Sequence, residues 1–157
     1  MGFAPVFDQE SKLFILGSFP SVKSREISFY YGNKQNRFWK TLCGYFKEEI
    51  PETVEGKIYF LKRRKIALWD MVTECEIEGS SDSSVKVKEI AKLIPVFEKT
   101  AIQAVLLNGT LAYDLFVKEY ASYCDDRGIA YRKMPSTSPA NPRFSKEKWE
   151  NAFDELL

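Results

Sequence analysis

The sequence contains no histidine. Without an imidazole, neither Ser-His-Asp nor Cys-His nucleophilic catalysis can operate. Its three cysteines, Cys43, Cys75 and Cys124, lie far apart and form no CxxC pair. That spacing disfavours a zinc site of four clustered N/S ligands and a four-cysteine iron–sulfur cluster, so no metal and no cofactor are expected. The odd count fits reduced thiols in a reducing compartment. No run approaches the roughly 18 consecutive apolar residues of a membrane helix. The first residues, MGFAPVFDQES, lack the basic and long apolar regions of a signal peptide. Val6 also breaks the myristoylation pattern that a Met-Gly start can open. A soluble, cytoplasmic protein with no membrane partner is expected. There is no G-x-G-x-x-G and no GK[ST] after the first apolar run, which disfavours a Rossmann-like or P-loop nucleotide enzyme. With a net charge of +1, global charge exerts no pull on a polyanion.

What is present suits one packed domain over residues 1–157. The chain is 45% hydrophobic and 15% aromatic, ample for a core. Residues 12–16 read as a buried strand. From Asn36, a possible cap, Phe38, Trp39, Leu42, Cys43 and Phe46 recur at helical spacing. A helix over 54–64 ends in Lys62-Arg63-Arg64-Lys65, cations that complement the helix dipole just before a strand. That strand spans 66–70. A connector with the polar tip EIEGSSDSS fills 71–84. A helix is expected over 87–99, its apolar face Ile90, Leu93, Ile94 and Phe97, with Pro95 kinking or ending it. A third strand spans 101–107 and stops at Asn108-Gly109, a turn that starts a helix over 110–121 with Leu111, Leu115, Phe116 and Tyr120 inward. A fourth strand spans 129–134. Pro135 to Pro142, PSTSPANP, holds three prolines and cannot be regular structure. Ser145 caps a last helix with Trp149, Ala152, Phe153 and Leu156 on one face.

Strands separated by helices long enough to cross over predict an α/β fold, a three-layer α/β/α sandwich with a central four-stranded parallel sheet. The strand C-termini then bring four loops to one sheet edge: Gly17-Ser18-Phe19-Pro20, Trp69-Asp70, Asn108-Gly109 and Pro135-Ser136-Thr137-Ser138. The loop after the first strand is unusually long, and loops above about 12–15 residues in a compact domain are usually functional or disordered. Its aromatics, Phe29, Tyr30 and Tyr31 among them, argue against disorder. Charge is also uneven. Six cations stand against one acid from Pro20 to Lys47, and six against one from Arg127 to Lys148, flanking the two unusual loops as surface charge or as phosphate-facing patches.

The converged loops offer amides, hydroxyls, aromatic faces and one carboxylate, Asp70. Ser18 is not in a G-x-S-x-G elbow and has no base to activate it. Such a site is poor at proton relays but well made to hold a flat heteroaromatic ring, as base-flipping pockets do. Of the adjacent tyrosines, Tyr31 is assigned to the pocket and Tyr30 to the core. Asp70 reads as a loop or cap ligand ahead of a catalytic acid. Trp39, Trp149 and the cysteines read as core.

Gly17-Ser18-Phe19-Pro20, then Tyr30-Tyr31 and Asn36-Arg37-Phe38-Trp39, resemble the first motif region of the uracil-DNA glycosylase superfamily. The likeness is to the branch of DNA-deoxyinosine (hypoxanthine-DNA) glycosylases. Ala67-Leu68-Trp69-Asp70, the later Glu78-Gly79-Ser80-Ser81-Asp82-Ser83, and Pro135-Ser136-Thr137-Ser138-Pro139-Ala140-Asn141 match in the same order, so the resemblance covers nearly the whole chain. It implies a four-stranded parallel sheet between helices and hydrolysis of the N-glycosidic bond to a deaminated base in DNA, leaving an abasic site in base excision repair. The partner implied is DNA containing such a base, and a monomer is expected. By similarity, Asn36 is the polar catalytic residue. Gly17, Ser18, Phe19, Pro20, Tyr31 and Asn108 form the base pocket, with Tyr31 stacking. Ser136, Thr137, Ser138, Pro139, Ala140 and Asn141 grip the DNA backbone and wedge into the gap left by the flipped nucleotide.

Two departures narrow the substrate: Phe19 stands where many members carry Asp or Asn, and Met134 where many have His or Asn. A further one, Gly32-Asn33-Lys34-Gln35 where relatives often read Ala-His-Pro-Arg, removes a possible general acid for activating water. Losing one well-aimed polar group commonly costs roughly 3–4 kcal/mol, or about 10²–10³ in rate. Weak or no action on uracil is therefore expected, and hypoxanthine, with an extra ring to stack, is favoured. The alternative is a member of the same fold that binds DNA or a nucleotide without cutting.

Overall fold

A computed structural model describes residues 2–19, 29–77 and 85–157. Four strands form a parallel sheet: β1 (Leu13–Gly17), β2 (Ile66–Asp70), β5 (Ala104–Asn108) and β6 (Ala130–Met134), in the order β2-β1-β5-β6. Every β1 residue is buried. Leu13 and Ile15 point into one core, with Tyr30, Phe38, Trp39, Phe60, Trp149 and Phe153. Phe14 and Leu16 point into the other, with Phe97, Phe116, Tyr120 and Cys124. A strand covered on both faces reads as a continuous apolar run, as this one does. Helices α1 (Phe38–Tyr45), α2 (Val54–Arg63) and α5 (Lys146–Leu156) supply the first core, and α3 (Ile94–Lys99) and α4 (Thr110–Arg127) the second. The central four-stranded parallel sheet between helices agrees with expectation.

The stretch from 71 to 99 does not. Residues expected to begin a helix form a strand instead, and β3 (Val72–Ile77) pairs antiparallel with β4 (Val85–Ile90), Cys75 opposite Val87. Val85, Lys86, Val87 and Lys88 alternate apolar and charged with β-branched residues, a strand pattern. The spacing of Ile90, Leu93, Ile94 and Phe97 obscured it. The helix is confined to α3, and Pro95 stands in its first turn rather than at a kink, where its missing N–H costs nothing. The motif residues 78–84 lie outside the described residues.

Helix α4 also differs from expectation. It continues to Arg127, and its buried stripe is Ala112, Phe116, Tyr120 and Cys124. Leu111 is 51% exposed, because the inward row runs one residue later at i, i+4 spacing. The C-terminal helix follows expectation: Ser145 Oγ accepts from Lys148 N at 3.2 Å, and Trp149, Ala152 and Phe153 are buried. The basic run at the end of α2 is engaged by Glu48, which accepts from Arg63 at 2.7 Å and from Arg64 Nε at 3.0 Å. That pairing lies just before the start of β2, at the sheet end opposite the strand C-termini. Cys43 and Cys124 are buried, and burial pushes both thiols up to about 11.

Candidate active site

The C-terminal edge of the sheet gathers the proposed site. Gly17 ends β1 in register with Asp70 of β2. The Gly17 carbonyl accepts from Met71 N at 2.7 Å and that of Ser18 from Val72 N at 2.9 Å. A Cβ on Gly17 would stand 2.6 Å from Asp70 Oδ1 and 2.7 Å from the Tyr31 hydroxyl, so only glycine admits this approach. Ser18 and Phe19 are half-buried, and the Phe19 ring lies against Gly2. Pro20, assigned to the same pocket, lies outside the described residues.

The two tyrosines divide. Tyr30 is 1% exposed. Its hydroxyl donates toward the carbonyls of Phe3 and Ala4 at 3.0 and 2.8 Å, and its own carbonyl accepts from Trp39 Nε1 at 2.9 Å. Tyr31 has φ 53°, a left-handed conformation unusual for a bulky residue. Lys47 and Lys65 share that conformation, but each follows a helix end, whereas Tyr31 sits within the loop. The Tyr31 ring stacks on Phe38, centroids 4.2 Å apart and planes 26° apart. Its hydroxyl is buried and has no aligned hydrogen-bond partner among the described residues.

Asn36 turns the chain and Arg37 ties. Asn36 Oδ1 accepts from Phe38 N at 2.9 Å, a side-chain turn that leads into α1, whose cap position is Arg37 and not the expected Asn36. The next residue bridges to the proline-rich loop. Arg37 N donates to Thr137 O at 3.0 Å, and Arg37 Nη2 donates to Ser138 O at 2.5 Å and Asn141 O at 2.9 Å. The guanidinium stacks 4.3 Å over Phe144. The loop braces itself as well: Asn141 Nδ2 donates to Ser136 O at 2.9 Å, Ser138 N to Ser136 Oγ at 3.2 Å, and Trp149 Nε1 to Pro135 O at 2.8 Å. Pro139 and Ala140 at its tip are exposed. Thr137, at its base, is 1% exposed and paired with Asn108. Asn108 Nδ2 donates to Thr137 Oγ1 and Thr137 N donates to Asn108 Oδ1, both at 3.0 Å. Both ends of the Asn108 carboxamide therefore hold the loop. Gly109, at φ 99°, begins α4 against Ser136.

A cleft of about 180 Å³ opens at the root of this loop, lined by Arg132, Lys133, Met134, Pro135, Lys148 and Asn151. Three of these are cations of the second basic stretch, and Arg132 also pairs with Glu155 at 2.6 Å. Met134 is 3% exposed, packed in the first core rather than offered as a polar group.

Asp70 is the one carboxylate at this edge among the described residues. It is 5% exposed, and its Oδ2 has no hydrogen-bond partner among the described residues. Burial raises its carboxyl to about 7, because the charged form is the one that water would have stabilised. The same carboxyl and burial together hold the phenols of Tyr30 and Tyr31 above the ordinary tyrosine range. Asn108 pulls the Tyr31 hydroxyl the other way but forms no aligned bond with it, its amide being engaged by Thr137. Asp70 was legible as the single carboxylate at four strand ends. Arg37 was legible as one cation among six and as a member of the Asn36-Arg37-Phe38-Trp39 motif, with no role of its own.

The structure thus brings Gly17, Tyr31 and Asp70 together, and Asn36, through Arg37, beside Thr137, Ser138 and Asn141. This four-stranded parallel sheet between helices is the architecture of a known superfamily. The family model of the uracil DNA glycosylase superfamily matches residues 4–157, and the chain belongs to that superfamily. Among curated relatives, a hypoxanthine DNA glycosylase of Methanosarcina acetivorans is 34% identical over 157 residues, covering 97% of this chain and 96% of the relative. One of Methanosarcina barkeri is 31% identical with the same coverage. The solution NMR structure of a Methanosarcina acetivorans protein, described as a candidate uracil DNA glycosylase, superposes with a TM-score of 0.82 at 33% identity. It covers 99% of this chain, which covers 96% of it.

Proposed function

We propose that this chain is a monofunctional DNA glycosylase that flips a deaminated base out of the duplex and hydrolyses its N-glycosidic bond, acting on hypoxanthine before uracil. The observation that carries this reading is the Arg37 tie, which joins the turn bearing Asn36 to the loop with the exposed Pro139-Ala140 tip. Extruding a base costs a few kcal/mol, least for a mispaired one. A loop braced by its own hydrogen bonds and by Asn108 is suited to fill the gap. Tyr31, backed by Phe38 on one face, offers a flat surface for the flipped base, with Gly17, Ser18 and Phe19 beneath. Bond cleavage passes through an oxocarbenium-like sugar, and Asn36 is the polar group that steadies the departing base or orients water. Arg132, Lys133 and Lys148 then face phosphates beside the wedge. The names of the two Methanosarcina relatives support hypoxanthine as the substrate. The polar helpers for uracil absent at Phe19 and Met134 support the same ranking. The protein acts on DNA as a monomeric single domain, in the cytoplasm, where its thiols stay reduced.

The test is a gel assay on duplexes containing deoxyinosine or deoxyuridine. Excision of hypoxanthine with little release of uracil is expected. Uracil cut well and hypoxanthine left intact would overturn the reading. Asn36→Ala should lower excision by about 10²–10³-fold, the usual loss for one well-aimed polar group, while retaining most DNA binding.

A further inference from the structure

We infer that Asp70 is a positioning residue of the base pocket, whose carboxyl group sets the Tyr31 hydroxyl and ring over Gly17. The inference rests on Tyr31 being the stacking face.

Asp70 Oδ1 and the Tyr31 hydroxyl approach the same side of Gly17, 2.6 and 2.7 Å from where a Cβ would stand. Asp70 Oδ2 and the Tyr31 hydroxyl are both buried and without an aligned partner among the described residues. The Tyr31 hydroxyl and the Asp70 carboxyl close on one glycine, the phenol feels the carboxyl's charge, and leaving either unpaired in a buried site is costly; the inference pairs them. The neutral carboxyl donates to the phenol oxygen and leaves the phenol proton to point at the base. The carboxylate takes that proton's hydrogen bond back and adds a negative charge beside a base that departs with growing negative charge. The titratable groups that feel Asp70 are the phenols of Tyr30 and Tyr31. Both are held protonated by burial, and no described cation offsets the carboxylate, whose shift comes from desolvation alone. The carboxyl, at about 7, therefore changes state within the working range of a DNA enzyme.

The test compares single-turnover excision of hypoxanthine by the wild type and by Asp70→Asn, from about pH 6 to about pH 9. The wild type is expected to lose rate on the alkaline side, by about tenfold per pH unit in the limiting limb. Asp70→Asn, neutral throughout, should lack that alkaline limb whatever its rate at acid pH. Titration of the substrate itself is common to both curves and cancels. Superimposable profiles would overturn the inference, and so would a folded Asp70→Asn inactive at every pH. Should that variant not fold, the ring resonances of Tyr31 in carbon-13-tyrosine-labelled wild type carry the test. A shift with a midpoint near that of Asp70 supports the coupling, and a flat trace overturns it. A wild type inert on deoxyinosine would sink the functional reading itself, whereas active wild type with unchanged profiles sinks only the role of Asp70.

Discussion

Two buried polar groups stand at strand C-termini on the same sheet edge, Asn108 ending β5 and Asp70 ending β2, and they are treated in opposite ways. Asn108 is 8% exposed, and its carboxamide exchanges two hydrogen bonds with Thr137. Asp70 is 5% exposed, and its Oδ2 goes unpaired among the described residues. The first is a finished joint and fixes the loop it touches. The second keeps an electrostatic cost in the folded state, which is tolerated where a ligand or a proton is to be handled. Burial alone therefore does not separate structural from functional polar groups. Satisfaction does.

The largest expected effect isolates that cost. The Asp70 carboxyl stands near 7 when folded and near 3.9 when unfolded. Between those values the folded state holds a proton that the unfolded state has released, so stability falls as pH rises through the window and levels off above it. The total is up to about 4 kcal/mol at about 1.4 kcal/mol per pH unit. Urea unfolding of Asp70→Asn at a series of pH values should lack that slope; an equal slope in both proteins would place the linkage elsewhere. Next comes Gly17→Ala, whose methyl meets two buried side-chain ends below 3.0 Å. A loss of about 1–3 kcal/mol is expected from overpacking, read as a lowered denaturant midpoint, together with weakened excision as Tyr31 is displaced. A silent Gly17→Ala would mean that the Asp70–Tyr31 side of the comparison is slack. Smallest is Thr137→Val, which keeps the shape and removes one hydroxyl from the finished joint. A cost of about 1 kcal/mol is expected. A double-mutant cycle with Asn108→Ala should show coupling of at least about 0.5 kcal/mol, and additivity would deny the joint.

The same contrast explains what could be read from the chain. Strands β1, β2 and β5 were legible because burial on both faces writes them as apolar runs. The hairpin of β3 and β4 was missed because four alternating residues, Val85 to Lys88, competed with a longer helical spacing through Ile90, Leu93 and Ile94. Leu111 was misassigned because a helix face shifts by one residue without changing its composition. In the site, Asn36, Tyr31 and the loop from Ser136 to Asn141 were reached through the motif resemblance, and Ser145 through capping chemistry. The bonds of Arg37 to Ser138 and Asn141 span 101 and 104 residues. No local pattern announces such a contact, and a lone carboxylate at a strand end does not declare whether its partner is present.

That Arg37 tie has a consequence for timing. Arg37 follows Asn36 directly, and its guanidinium and backbone N–H hold three carbonyls of the loop, which ties the Asn36 turn to that loop. Under the proposed function they share a clock: a loop that has not entered the helix leaves Asn36 undelivered. Strand separation then becomes the checkpoint for cleavage, and an undamaged base that resists extrusion is spared without ever being recognised.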